Sequence, residues 1–120
     1  MSSKYEKTAF VVICRDGPNG AVVRAAQNAA HLAYIETVMD ELNVAGPLYP
    51  NGVDNVGVGA TQGGDGSGPI GSLYCLHTKS LARAREIIEN DPYVKHGAFA
   101  SIEYFPHLPA AGRYIGGKIW

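Results

Sequence analysis

Ser80-Leu81-Ala82-Arg83-Ala84-Arg85-Glu86-Ile87-Ile88-Glu89-Asn90-Asp91-Pro92-Tyr93-Val94 contains a helix and the turn that ends it. Ser80 suits the N-cap, and Leu81, Ala84, Ile87 and Ile88 fall on one face of the helix that follows. Arg83, Arg85 and Glu86 lie mostly on its wet side. Pro92 disfavours α geometry at Asp91, so the run stops there. Pro92 itself fits the first position of a new turn, where its missing N–H costs nothing. The Asp91 carboxylate can cap that turn by accepting a backbone N–H. A cap is the ordinary use of such an aspartate, and it leaves open whether Asp91 has a second partner.

Strand-like segments flank this helix on both sides. Before it, Ile70 to Thr78 has strand composition; after it, past Gly97, Ala98 to Phe105 alternates as a final strand. Earlier still, Thr8 to Cys14 is a short β-branched apolar run, closed by the turn chemistry of Gly17-Pro18-Asn19-Gly20. From Ala21 to Asn43 the chain is rich in alanine, with no glycine or proline. Leu32, Ile35, Met39 and Leu42 recur there at helical steps, which predicts one long helix with that stripe buried and Asn43 ending it. His31 stands at the stripe's edge, partly buried and facing the sheet. Val44 to Pro50 reads as a second strand, confined by Pro47 and Pro50 to an edge, a bulge or a broken end. Residues 51–71 are dominated by glycine and behave as a long loop, with a small hairpin expected around Val53 to Val58. A loop of this length in a compact domain is often a lid or binding loop.

The order is strand, helix, strand, loop, strand, helix, strand. It predicts an α+β ferredoxin-like βαββαβ fold, two helices covering one face of a four-stranded antiparallel sheet. The chain suits a single domain of residues 1–120, with a core of about 8–107, the loop 51–71 and a tail 108–120. One sheet face stays open, and a second copy of the chain is its simplest cover, so a homodimer is expected.

Composition removes several function classes. Ten basic against eleven acidic residues leave no excess that would advertise nucleic acid. No segment is apolar for long enough to span a membrane, and the first seven residues lack a signal peptide's apolar core, which predicts a cytoplasmic protein. Cys14 and Cys75 lie in apolar runs and read as buried thiols. The glycines of Gly57-Val58-Gly59-Ala60-Thr61-Gln62-Gly63 miss the dinucleotide spacing, and no Walker-type lysine follows them. His31, His77, His96 and His107 show no metal-ligand spacing, so no metal site is expected.

One constellation survives. In the predicted fold the edge of the first helix, the third strand and the turn after the second helix converge, bringing together His31, Ser72 and Asp91. A carboxylate on one imidazole nitrogen fixes the tautomer and leaves the other free as a base. Ser72 can donate to a substrate oxygen. The same residues also fit a plainer role: a satisfied histidine, a cap and a strand serine, tying the first helix to the second.

Ala30-His31-Leu32-Ala33, Ala45-Gly46-Pro47-Leu48, Gly71-Ser72 and the block from Ser80 through Asp91-Pro92-Tyr93-Val94 to Pro106 resemble the YciI-like, or YCII-related, proteins. The resemblance spans about Phe10 to Pro106. It implies the dimeric α+β barrel arrangement, an active-site pair of His31 and Asp91 with Ser72 beside them, and a substrate site that takes in Asn28, Arg24, Tyr93 and Pro47. The family often carries arginine where this chain has Asn28; Arg24, one turn earlier on the same face, is a substitute. The link from His31 to Gly46-Pro47 is shorter than usual, and the glycine loop longer. The expectation is a small cofactor-independent lyase or isomerase doing His/Asp acid–base chemistry on a small cyclic or enol-type metabolite. A non-catalytic small-molecule-binding or accessory dimer is the alternative.

Overall fold

Burial alternates along β1 (Ala9–Asp16): Phe10, Val12 and Cys14 are buried, while Val11 and Ile13 are only half so. That period of two sets one face of the sheet against the helices. The computed structural model describes residues 9–50 and 68–119. Within them, β1 is followed by α1 (Gly20–Thr37), a 3-10 turn (Met39–Glu41), β2 (Leu42–Leu48) and β3 (Gly71–Leu76). Then come α2 (Leu81–Glu89), the short α3 (Pro92–Lys95), β4 (Phe99–His107) and a small β5 (Ala111–Gly112) and β6 (Gly117–Lys118) pair.

The sheet order is β2-β3-β1-β4, and every pairing is antiparallel. This is the ferredoxin-like α+β arrangement read from the element order. Register places Ala45 opposite Tyr74, Tyr74 opposite Val12 and Val12 opposite Tyr104, one row across all four strands. The next row runs Pro47, Ser72, Cys14, Ile102. Ala84, Ile87 and Ile88 of α2, with Val38 and the half-buried Tyr34 and Ile35, pack on this face. Pro47 sits on an edge strand, as its missing N–H requires. Ser80 caps α2 by accepting the Arg83 N–H.

Two expectations are corrected. The first helix ends at Thr37, six residues before Asn43, and Asn43 lies inside β2. The Leu32–Ile35–Met39–Leu42 stripe is not a buried ridge: Leu32 and Met39 are each 54% exposed. The buried positions of α1 are Gly20, Val23 and Arg24, and its face carrying Arg24, Asn28 and His31 borders a cavity. Beyond these corrections, Leu108 to Ile115 of the tail bends over the other sheet face, near Val11, Val44, Leu73 and Cys75. Cys14 and Cys75 are both buried and both free. Most of the glycine-rich stretch, including the expected hairpin at Val53 to Val58, lies outside the described residues.

Candidate functional site

Arg24, Asn28 and His31 follow each other at steps of four and three, so α1 presents all three on one face. Ser72 and Tyr74 are two apart on β3 and share the face turned toward the helices. Between these elements and the Ala45–Pro47 stretch of β2 lies a cavity of about 400 Å³, with Leu32, Ile35, Pro69 and Tyr93 completing its wall. That volume suits a single substituted ring.

Asp91 is fully buried, and each of its oxygens is engaged. As the N-cap of α3 its Oδ1 accepts the Tyr93 backbone N–H at 2.9 Å. Its Oδ2 accepts the Tyr74 hydroxyl at 2.7 Å. His31 Nδ1 lies 2.8 Å from Oδ1 and 2.9 Å from Oδ2. A carboxylate is an acceptor only, so Nδ1 carries a proton, and in the neutral imidazole Nε2 holds the lone pair. Among the described residues Nε2 makes no hydrogen bond and no buried side-chain nitrogen or oxygen lacks a partner, so Nε2 is accessible. The Tyr93 ring stacks on the imidazole with centroids 4.0 Å apart.

Arg24 is held from the other side. Its Nε and Nη2 reach Asp16 at 2.9 and 2.8 Å, and Nη2 also reaches Gly71 O at 2.9 Å and Ser72 Oγ at 3.0 Å. Burial works against the Arg24 charge, but the bond to Asp16 and the charge of Asp16 outweigh it and raise its affinity for the proton. Tyr74 is pushed well above the ordinary tyrosine range, chiefly by burial and then by the charge of Asp91, so its hydroxyl remains a donor. Burial, reinforced by Asp91 and opposed by Arg24, also raises Tyr93.

His31, Asp91, Ser72, Asn28, Arg24, Tyr93 and Pro47 thus stand around one cavity, with Asp91 behind the wall as the partner of His31. Sequence reasoning missed Tyr74 and Asp16. The signal for Tyr74 was present, two residues beyond Ser72 on the same strand face. Asp16 sits in a stretch whose Gly-Pro-Asn-Gly reads only as a turn, and nothing local marks it as the partner of Arg24. Among the described residues no group of His, Cys, Asp and Glu is placed to hold a metal ion, and no helix is long and apolar enough to cross a membrane.

The family model described as the YCII-related domain matches residues 8–107. No curated protein matches the chain. A similar solved structure is that of 5-chloro-2-hydroxyhydroquinone dehydrochlorinase from Burkholderia phenoliruptrix AC1100, in complex with 2,5-dihydroxybenzoquinone. It is 28% identical, with a TM-score of 0.68 over 88% of this chain and 97% of that one.

Proposed function

The chain belongs to the YCII-related domain family, and on that premise we propose that it is a small lyase- or isomerase-type enzyme acting on an oxygenated ring or enol by side-chain acid–base chemistry alone. The observation that carries this reading is the His31–Asp91 contact at a cavity wall, with Nε2 unbonded and accessible. The similar dehydrochlorinase, which acts on a chlorinated hydroxyhydroquinone, supports the substrate class.

In this reading Nε2 removes a proton from a ring carbon or hydroxyl. The electron pair left behind moves into the conjugated system and expels a leaving group from the ring, or takes a proton back at another position. Asp91 holds Nδ1–H and stabilises the imidazolium formed in between. Ser72 donates to a ring oxygen, while Asn28, Arg24, Tyr93 and Pro47 contact the substrate. A homodimer covering the sheet face of Val11, Ile13 and Leu73 belongs to the same reading, and light scattering tests it.

The deciding experiment is turnover of chlorinated and unchlorinated hydroxyhydroquinones by wild type and His31→Ala. A placed histidine base contributes roughly 10²–10⁴-fold, and a loss of that size is expected. Undiminished turnover in His31→Ala would overturn the proposal.

A further inference from the structure

We propose that the cavity wall made by Arg24, Ser72 and Asn28 is a subsite for an anionic, enolate-type oxygen, with Tyr93 as its positioning residue. The inference rests on the small-molecule reading above and adds the charge and donor pattern of what binds.

The donors are identified by what is left over. Arg24 is 4% exposed, and its Nε and Nη2 are committed to Asp16, Gly71 O and Ser72. Among the described residues Nη1 has no partner and no buried polar side-chain atom is orphaned, so Nη1 is accessible on the side chain that lines the cavity. Ser72 Oγ accepts from Arg24, so its own O–H remains to be donated. Asn28 stands one helical turn after Arg24 on the same face, and its Oδ1 accepts the Tyr93 hydroxyl at 3.0 Å. That bond fixes the carboxamide and leaves the two Nδ2 hydrogens for a ligand. Tyr93 also lies under Arg24, 5.2 Å from the guanidinium to the ring centroid, so one side chain registers both donors.

Three side-chain donors line this wall: Arg24 Nη1, the Ser72 O–H and Asn28 Nδ2. A ligand oxygen at this wall must therefore accept. Asp16 already offsets the Arg24 charge. The fit is to one delocalised negative charge, as on an enolate or phenolate conjugated through a ring, and not to a compact dianion. The opposite carboxamide orientation would aim Oδ1 into the cavity, and a substitution at Asn28 tells the two apart.

The test is calorimetric binding of 2,5-dihydroxybenzoquinone, the ligand of the similar dehydrochlorinase, beside its O-methylated, non-ionising counterpart. Wild type is expected to prefer the ionising compound by at least about tenfold, the loss of a charge-assisted hydrogen bond. Asn28→Asp, which still accepts from Tyr93 but repels the anion, is expected to weaken it roughly 10- to 100-fold with little change in melting temperature. Tyr93→Phe frees the carboxamide and should weaken the ionising compound by about three- to tenfold, more than the methylated one. Equal binding of the two compounds, or unchanged or tighter binding by Asn28→Asp, would overturn the subsite. So would failure of wild type to bind either compound, and the His31 turnover test would then still judge the catalytic reading separately. The expected binding pattern without turnover of any ring substrate would keep the subsite and sink the catalysis.

Discussion

Tyr93 lies flat on His31, with the two ring planes only 8° apart, while its backbone N–H binds the carboxylate that His31 also binds. Ring and backbone of one residue therefore fix the His31 imidazole from two directions. Tyr93 is 4% exposed. Tyr93→Ala is expected to cost about 3–5 kcal/mol of stability, as buried aromatic truncations do. Tyr93→Phe keeps the stack and should cost about 1 kcal/mol. Urea denaturation of both variants measures the difference.

Asp91→Asn should be more damaging chemically than sterically. Three donors converge on the Asp91 oxygens, and a carboxamide puts an NH₂ where one of them points. If that NH₂ meets His31, Nδ1 becomes the acceptor and the proton moves to Nε2, which removes the base. Turnover is expected to fall roughly 10²–10⁴-fold. Nitrogen NMR of the imidazole reads the tautomer directly, and an unchanged tautomer together with unchanged turnover would contradict the assignment.

Alkaline conditions should unfold the protein early. Burial first, and then the charge of Asp91, pushes the Cys14 thiol from 9.0 up to about 12, and Tyr74 rises for the same two causes. Both are neutral in the fold where the unfolded chain would already have lost their protons. Stability is thus fully present below pH 9 and is lost as pH climbs toward 12. Cys14 adds a slope approaching about 1.4 kcal/mol per pH unit above 9.0, and Tyr74 adds its own above 10.0. Denaturant midpoints across the window should fall in wild type and fall less steeply in Cys14→Ala.

Two glycines in neighbouring strands should respond oppositely to alanine. A Cβ on Gly71 would stand 2.4 Å from the Cys14 carbonyl oxygen, a backbone atom that cannot step aside. Gly71→Ala is expected to lose about 2–4 kcal/mol and to disturb the carbonyl that Arg24 holds. A Cβ on Gly46 meets nothing within 4 Å, so Gly46→Ala should stay within about 0.5 kcal/mol. Thermal melts of the two variants make the comparison.

The element order, the edge position of β2 and the Ser80 and Asp91 caps were legible in the sequence because each rests on local chemistry. Proline, cap residues and period-two alternation act within a few positions of themselves. Helix α1 was misread for the converse reason. Leu32 and Met39 look like core residues by spacing, but the helix beside them borders a cavity and its chain turns away at Val38. The partnership of His31 with Asp91 joins residues 60 apart, and it was suggested by the placement of both within the predicted fold and by the family resemblance. Asp16 shows the limit. It comes within reach of Arg24 where the β1–β4 register shifts between Arg15 and Asp16, an irregularity that no sequence pattern announces.

α3 has four residues, too few to persist on its own, and its first turn is capped by the same carboxylate that orients His31. When that turn frays, Tyr93 leaves the imidazole and Asp91 loses a donor in one event, while the four-stranded sheet need not open at all. Under the proposed acid–base reading, competence follows a local opening equilibrium smaller than global unfolding. Amide exchange at Tyr93 reports the lifetime of the His31–Asp91–Tyr93 arrangement, and an agent that only loosens Pro92–Lys95 should disrupt that arrangement while the protein still reads as folded.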